Sequence, residues 1–273
     1  MKITVRYTVA GIVSEQTIYF RADAKRIEYR KVSGHRYGPH MAGIERCDLG
    51  EAYDLNLDRQ EYDSAPYPPK PLTKEQLAKS GMKPPQALPP GLPTLRIEVT
   101  TVDTGERKDF FGRTARHVIT TTRETPLEGS HREAQETVID GWYIDLDTRI
   151  SCDRRWPDNK RGTGVAYLRA GNAPSERIES VQNGKAETGF PVETKMISKS
   201  LFTLPDGSEK KTDSRDMMKV IDFAEGPVNP ALFEVPAAFK RMDHIDSNGL
   251  GEQQSALTLA WYRVVDKVED LWN

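Results

Sequence analysis

Between residues 2 and 9 every second side chain is apolar: Ile3, Val5, Tyr7 and Val9 alternate with Lys2, Thr4, Arg6 and Thr8. Successive side chains of an extended chain point to opposite faces, so this segment reads as a strand with one buried and one wet face. The same period returns over 94–101, with Leu95, Ile97 and Val99 on one face. It returns again over 192–202, where Val192, Met196 and Phe202 oppose Glu193, Lys195 and Lys199. Further strands are expected over 16–21, 26–32, 51–57, 115–122, 137–146, 177–182 and 217–223. Turn signals stand at 103–105, Asn183-Gly184 and Asp206-Gly207. One-sided alternation joined by short polar turns predicts an antiparallel meander rather than βαβ units. So long a run of strands limits its exposed edges by curling, so the fold class expected is mainly β, a single curved antiparallel sheet forming a barrel or half-barrel.

Size and charge narrow the function classes. A chain of 273 residues can form one large domain or two small ones. With 39 Lys and Arg against 41 Asp and Glu, the net charge is −2. That balance excludes general nucleic-acid binding, which depends on counterion release by a basic surface. No stretch approaches the ~18 consecutive apolar residues of a membrane helix, so no transmembrane segment is expected. Met1 leads straight into the first alternating segment, without a basic and then apolar leader. The chain is therefore either cytoplasmic or the mature form of an exported protein. Cys47 and Cys152 fit no CxxC or zinc spacing. They read either as one disulfide of an oxidising compartment or as two unrelated buried thiols.

Two segments break the strand pattern. Residues 64–93 hold nine of the 18 prolines, with a capping box at Thr73-Lys74-Glu75-Gln76 that predicts a short helix ending near Ser80-Gly81. This insertion reads either as a lid over a concave sheet or as a surface loop. The second departure follows the turn Ser247-Asn248-Gly249. Leu257, Trp261, Val264, Val265, Val268, Leu271 and Trp272 then form an apolar stripe at helical spacing over 253–272. The expected organisation is thus a β domain over 1–246 carrying the proline-rich insertion, followed by a linker and amphipathic helix over 247–273. That helix is expected to dock on the sheet through Leu257, Trp261, Val264 and Val268.

Residues suited to chemistry are sparse. His35, His40, Cys47 and Asp48 lie close together, but Gly34, Gly38, Pro39 and Gly43 mark that segment as a loop, and no HExxH or paired CxxC is present. No metal or other cofactor is expected. His117 stands mid-strand, where packing or hydrogen bonding is the simpler role. No GxSxG elbow occurs, and Cys152 beside Arg154 and Arg155 lacks a recognisable histidine partner. No catalytic residue is assigned, and the chain reads as a non-enzyme. The candidate site is apolar instead: Trp142, Ile144 and Leu146 alternate to one side, and Met196 and Phe202 are expected to join them as lining for a hydrophobic ligand.

A series of segments carries a family resemblance. It runs from Arg26-Ile27-Glu28-Tyr29 through Ile44-Glu45-Arg46-Cys47-Asp48 to Ala52-Tyr53-Asp54-Leu55. It continues with Phe111-Gly112-Arg113-Thr114-Ala115-Arg116-His117-Val118, Asp140-Gly141-Trp142-Tyr143-Ile144-Asp145 and Leu232-Phe233-Glu234-Val235-Pro236. Together these resemble the outer-membrane lipoprotein-sorting superfamily of LolA and LolB, and more closely its uncharacterised bacterial relatives, over most of residues 2–240. The resemblance implies an unclosed β-barrel of about eleven strands with helices plugging the concave side, located in the periplasm or elsewhere in the cell envelope. It also implies a lipid or acyl chain in the concavity. The alternative is an envelope module with a filled interior that binds another protein. The carriers' N-terminal helix has no counterpart here, the C-terminal helix is additional, and residues 64–93 have no match, so no functional residue transfers one to one.

Overall fold

The computed structural model describes residues 1–33, 36–68, 91–152, 166–168, 176–203 and 208–245. The strands are β1 (Lys2–Val9), β2 (Ile12–Arg21), β3 (Ala24–Ser33), β4 (Arg36–Arg46), β5 (Glu51–Asn56), β6 (Glu61–Pro66) and β7 (Leu95–Phe110). They continue with β8 (Arg113–Pro126), β9 (Gln135–Ile144), β10 (Ala166–Leu168), β11 (Glu176–Asn183), β12 (Phe190–Thr203), β13 (Glu209–Ala224) and β14 (Lys240–Arg241). All belong to one sheet, in the order β10-β11-β7-β8-β9-β12-β13-β1-β2-β3-β4-β5-β6-β14, whose two ends do not meet. The alternating segments thus form one large open sheet, with fourteen strands among the described residues where about eleven were expected. It is antiparallel except where β11 pairs with β7 and β14 with β6. A 3-10 turn, Pro230–Phe233, is the only helical element among the described residues. The capping box at 73–76 and the stripe carrying Leu257, Trp261, Val264 and Val268 lie outside those residues.

Local chemistry explains several boundaries. The β1–β2 and β7–β8 hairpins turn on Ala10-Gly11 and Phe111-Gly112, with both residues of each pair at positive φ. That geometry matches the right-handed twist of the flanking strands. The glycine- and proline-rich segment containing His40 is not a loop, as its composition suggests, but the interior strand β4. Its register with β3 shifts between Arg30 and Val32, opposite the stretch that carries Gly38 and Pro39. A bulge is where a strand tolerates a proline, which has no N–H to donate to the ladder. Ser64 to Pro66, assigned to the insertion by composition, instead complete β6.

Three clusters hold the sheet. Ile3, Val5, Ala115, Ile144, Val192 and Val220 form one, where β1, β8, β9, β12 and β13 converge. Ala24, Ala42, Ile44, Leu55 and Phe233 form the second, on β3–β5. Leu95, Ile97 and Ile178 form the third, between β7 and β11. Phe233 is fully buried, and burying such a side chain is worth roughly 1.5–3 kcal/mol. The 3-10 turn that carries it is tied down where Arg26 Nη1 donates to Leu232 O (2.9 Å) and Arg46 Nη1 to Phe233 O (3.0 Å).

After β9 the chain leaves the sheet and crosses this same end. Ser151 N donates to Ala22 O at 2.9 Å, beside the β2–β3 turn. Ile150 is buried, and Cys152 forms a disulfide with Cys47 in the β4–β5 turn, with Cα atoms 5.3 Å apart. Residues 145–152 are therefore a strap between the fifth strand of the order and the eleventh.

Candidate functional site

Residues directly opposite on paired strands share a face, so the register sorts the side chains of β8, β9, β12 and β13 into two sets. On one face Val118, Gly141, Thr194 and Met218 form a row that Tyr7 of β1 extends. The next row is Thr120, Ile139, Met196 and Asp216, and the third is Thr122, Thr137, Ser198 and Ser214. Eleven of these twelve positions, all but Ser214, are buried or half-buried. The opposite face carries ion pairs: Arg6 with Glu15, Lys219 with Glu193, and Arg123 with Glu136. Arg6, Lys195, Lys199, Lys219 and Arg123 are exposed there. That opposite face also holds half-buried Ile119, Val138, Ile197 and Trp142, so lack of charge and not burial alone marks the first face, which we take as the inner one.

The inner face changes character along the strands. Near the strap it is tightly packed. The Tyr143 ring lies over Gly141, so that a Cβ at 141 would fall 2.7 Å from the ring. Tyr143 is 1% exposed, and burial pushes its phenol well above the ordinary range. Beside it Arg116 donates through Nε to Glu187 Oε2 (2.7 Å) and through Nη1 to Asp145 Oδ1 (2.7 Å), with a further bond from Nη2 to Glu187 Oε1. Burial pushes the Glu187 carboxyl up, but Arg116 and the amides of Gly189 and Thr188 outweigh it and hold the group below its ordinary value. In the middle, Tyr7, Met218, Met196 and Ile139 form a half-buried apolar stretch. Beyond them come hydroxyls: Thr137 Oγ1 and Ser198 Oγ lie 2.6 Å apart, and Gln135 Nε2 donates weakly to both (3.4 and 3.5 Å).

The register divides the residues singled out from the sequence. Met196 stands on the inner face, opposite Ile139. Trp142 does not share that face: it lies three residues from Ile139 with no register shift between them, so it points the other way, opposite Glu193. There it stacks on His117 with ring centroids 4.8 Å apart. His117 is hydrogen-bonded through Nε2 to Asp140 Oδ1 (2.8 Å) and through Nδ1 to Thr104 Oγ1 (3.1 Å). Ile144 is fully buried and Leu146 packs against the same cluster from the strap, because β9 ends at Ile144. Phe202 pairs with Lys210 near the end of β12. Tyr7, Met218, Ile139 and the hydroxyl row were not assigned to the site, although Tyr7 already belongs to the alternation of residues 2–9.

Among the described residues no group of three or more His, Cys, Asp or Glu is placed to hold a metal ion, and no helix is long and apolar enough to cross a membrane. The sequence matches no family model and no curated protein.

Proposed function

We propose that the protein is a non-catalytic binder of a lipid or other hydrophobic ligand, seated on the inner face of a sheet curled into a half-barrel of the lipoprotein-sorting type. The observation that carries this reading is the stretch formed by Tyr7, Met218, Met196 and Ile139, apolar yet only half-buried by the rest of the chain. A contiguous partly exposed apolar surface with polar surroundings is the mark of a ligand-binding groove.

The strap supports the curl. Six strand spacings of about 4.8 Å separate β9 from β4, about 29 Å across a flat sheet. The eight residues from Ile144 to Cys152 reach at most ~26–29 Å when fully extended. Curvature toward the strap gives the slack that a real chain needs. The Cys47–Cys152 bridge supports residence in an oxidising compartment such as the bacterial periplasm. A second reading, an envelope interaction module with a filled interior, draws support from Ile144 and Leu146, which are spent on the core rather than on a cavity.

Native mass spectrometry of the full chain, exported to the periplasm of a bacterial host, tests the first reading. The expected result is a sub-stoichiometric or full population carrying one amphiphile, removed by organic extraction. Only the bare mass, before and after extraction, overturns it in favour of the filled module.

A further inference from the structure

The inner face is polarised, and the polarity is unusual in kind. Three rows on four strands contain one ionisable side chain, Asp216, and no cation. The guanidinium of Arg116, on one side of these rows, is held by Glu187 and Asp145, and that of Arg132, on the other, donates to Glu124. What the far rows offer instead is hydroxyls. Thr137 and Ser198 are hydrogen-bonded to each other across β9 and β12. Thr120 is 8% exposed, and its Oγ1 has no hydrogen-bond partner. A buried hydroxyl without a partner costs roughly 1–3 kcal/mol, and a ligand group that bonds it recovers that cost.

A phosphate or carboxylate head on this patch would meet Asp216 with no cation to balance it, which is unfavourable in a partly dry groove. A neutral head rich in hydroxyls meets donors and acceptors in matching number, because each Ser or Thr hydroxyl both gives and accepts. The apolar tail then runs from Met196 and Ile139 toward Val118, Met218 and Tyr7, in the direction of the strap.

We propose that the ligand is a single-chain amphiphile with an uncharged polyhydroxyl head, its head on the Thr120, Thr137, Ser198 and Asp216 patch and its acyl chain toward the disulfide end. This inference rests on the lipid-binding reading, and it names the ligand class for that same face.

The test is displacement of the apolar fluorophore N-phenyl-1-naphthylamine from the full, disulfide-bonded chain, with competitors below their critical micelle concentrations. Monolauroylglycerol is compared with laurate and with dodecyltrimethylammonium, which share its chain length. Monolauroylglycerol is expected to displace the fluorophore at a concentration at least tenfold lower than either ion. In a Thr137→Val, Ser198→Ala variant that preference is expected to fall below threefold. Asp216→Asn is expected to improve laurate binding severalfold, and it serves independently if the double variant does not fold. Equal or tighter displacement by either ion overturns the head assignment. So does a preference untouched by the variants. Failure of the fluorophore to bind at all overturns instead the reading on which the assignment rests.

Discussion

Replacing both bridging cysteines, Cys47→Ala with Cys152→Ala, tests how far the strap organises the sheet. The bridge spans 105 residues. In the chain-entropy relation, a loop of that length removes about 16 cal/mol/K from the unfolded ensemble, or about 4.8 kcal/mol at 25 °C. That value is an upper figure, because residual structure in the unfolded chain reduces it. Cys152 is 2% exposed, so trimming the sulfurs also leaves small voids that add to the loss. A net destabilisation of about 3–5 kcal/mol follows, on the order of 6–20 °C in Tm for a domain above 150 residues. Urea unfolding followed by circular dichroism measures it, and wild type unfolded in reducing agent should match the variant. A variant within about 1 kcal/mol of oxidised wild type would show that closing this loop adds little to stability. It would mean that the strap is held by Ile150 and the Ser151 hydrogen bond alone, and that the bridge constrains nothing.

Three further outcomes follow from the packing and charges. Gly141→Ala drives a methyl against the buried Tyr143 ring, 2.7 Å away. It should cost about 1–3 kcal/mol in a urea melt, with Tyr143→Ala in the same chain removing most of that penalty. Glu187→Ala strips the main partner from Arg116 and should lower stability by about 2–4 kcal/mol, whereas Asp145→Ala, at an 87% exposed side chain, should cost well under 1. Asp48 is held at about 2, chiefly by hydrogen bonds from the Arg46 guanidinium. Its folded value is depressed, so the stability it contributes is present above the ordinary carboxylate value near 4 and is lost as pH falls from about 4 toward 2. Asp48→Asn should therefore flatten the acid limb of a stability–pH profile over that window and leave the neutral limb parallel to wild type.

How much of this was legible depended on whether the information is local. The alternation of Ile3, Val5 and Tyr7 marks β1 unaided, because a strand's period is a property of adjacent residues. β4 was hidden by Gly38, Pro39 and Gly43, residues that punctuate loops in isolation; here Gly38 and Pro39 sit in a bulge and Gly43 pairs in the regular ladder with Ile27. The candidate site was half legible for a different reason. Which residues of one strand share a face follows from counting, but whether Met196 lies beside Trp142 or behind it depends on the pairing of β12 with β9. One residue of register reverses that answer. The two cysteines show the same limit: 105 residues apart, nothing local distinguishes partners from strangers. The parallel placement of β11 on β7 is likewise a choice made between distant segments.

On the proposed reading the inner face, and not the outer, holds a hydrophobic ligand. Lys195 and Met196 are adjacent on β12 and point to opposite faces, which makes them a matched pair. Equilibrium binding of N-phenyl-1-naphthylamine to wild type, Met196→Glu and Lys195→Glu compares the two faces directly. Saturable binding by wild type, at least tenfold weaker binding by Met196→Glu (about 1.4 kcal/mol) and an unchanged affinity for Lys195→Glu are expected. No saturable binding by folded wild type, or an equal loss in both variants, would contradict that reading.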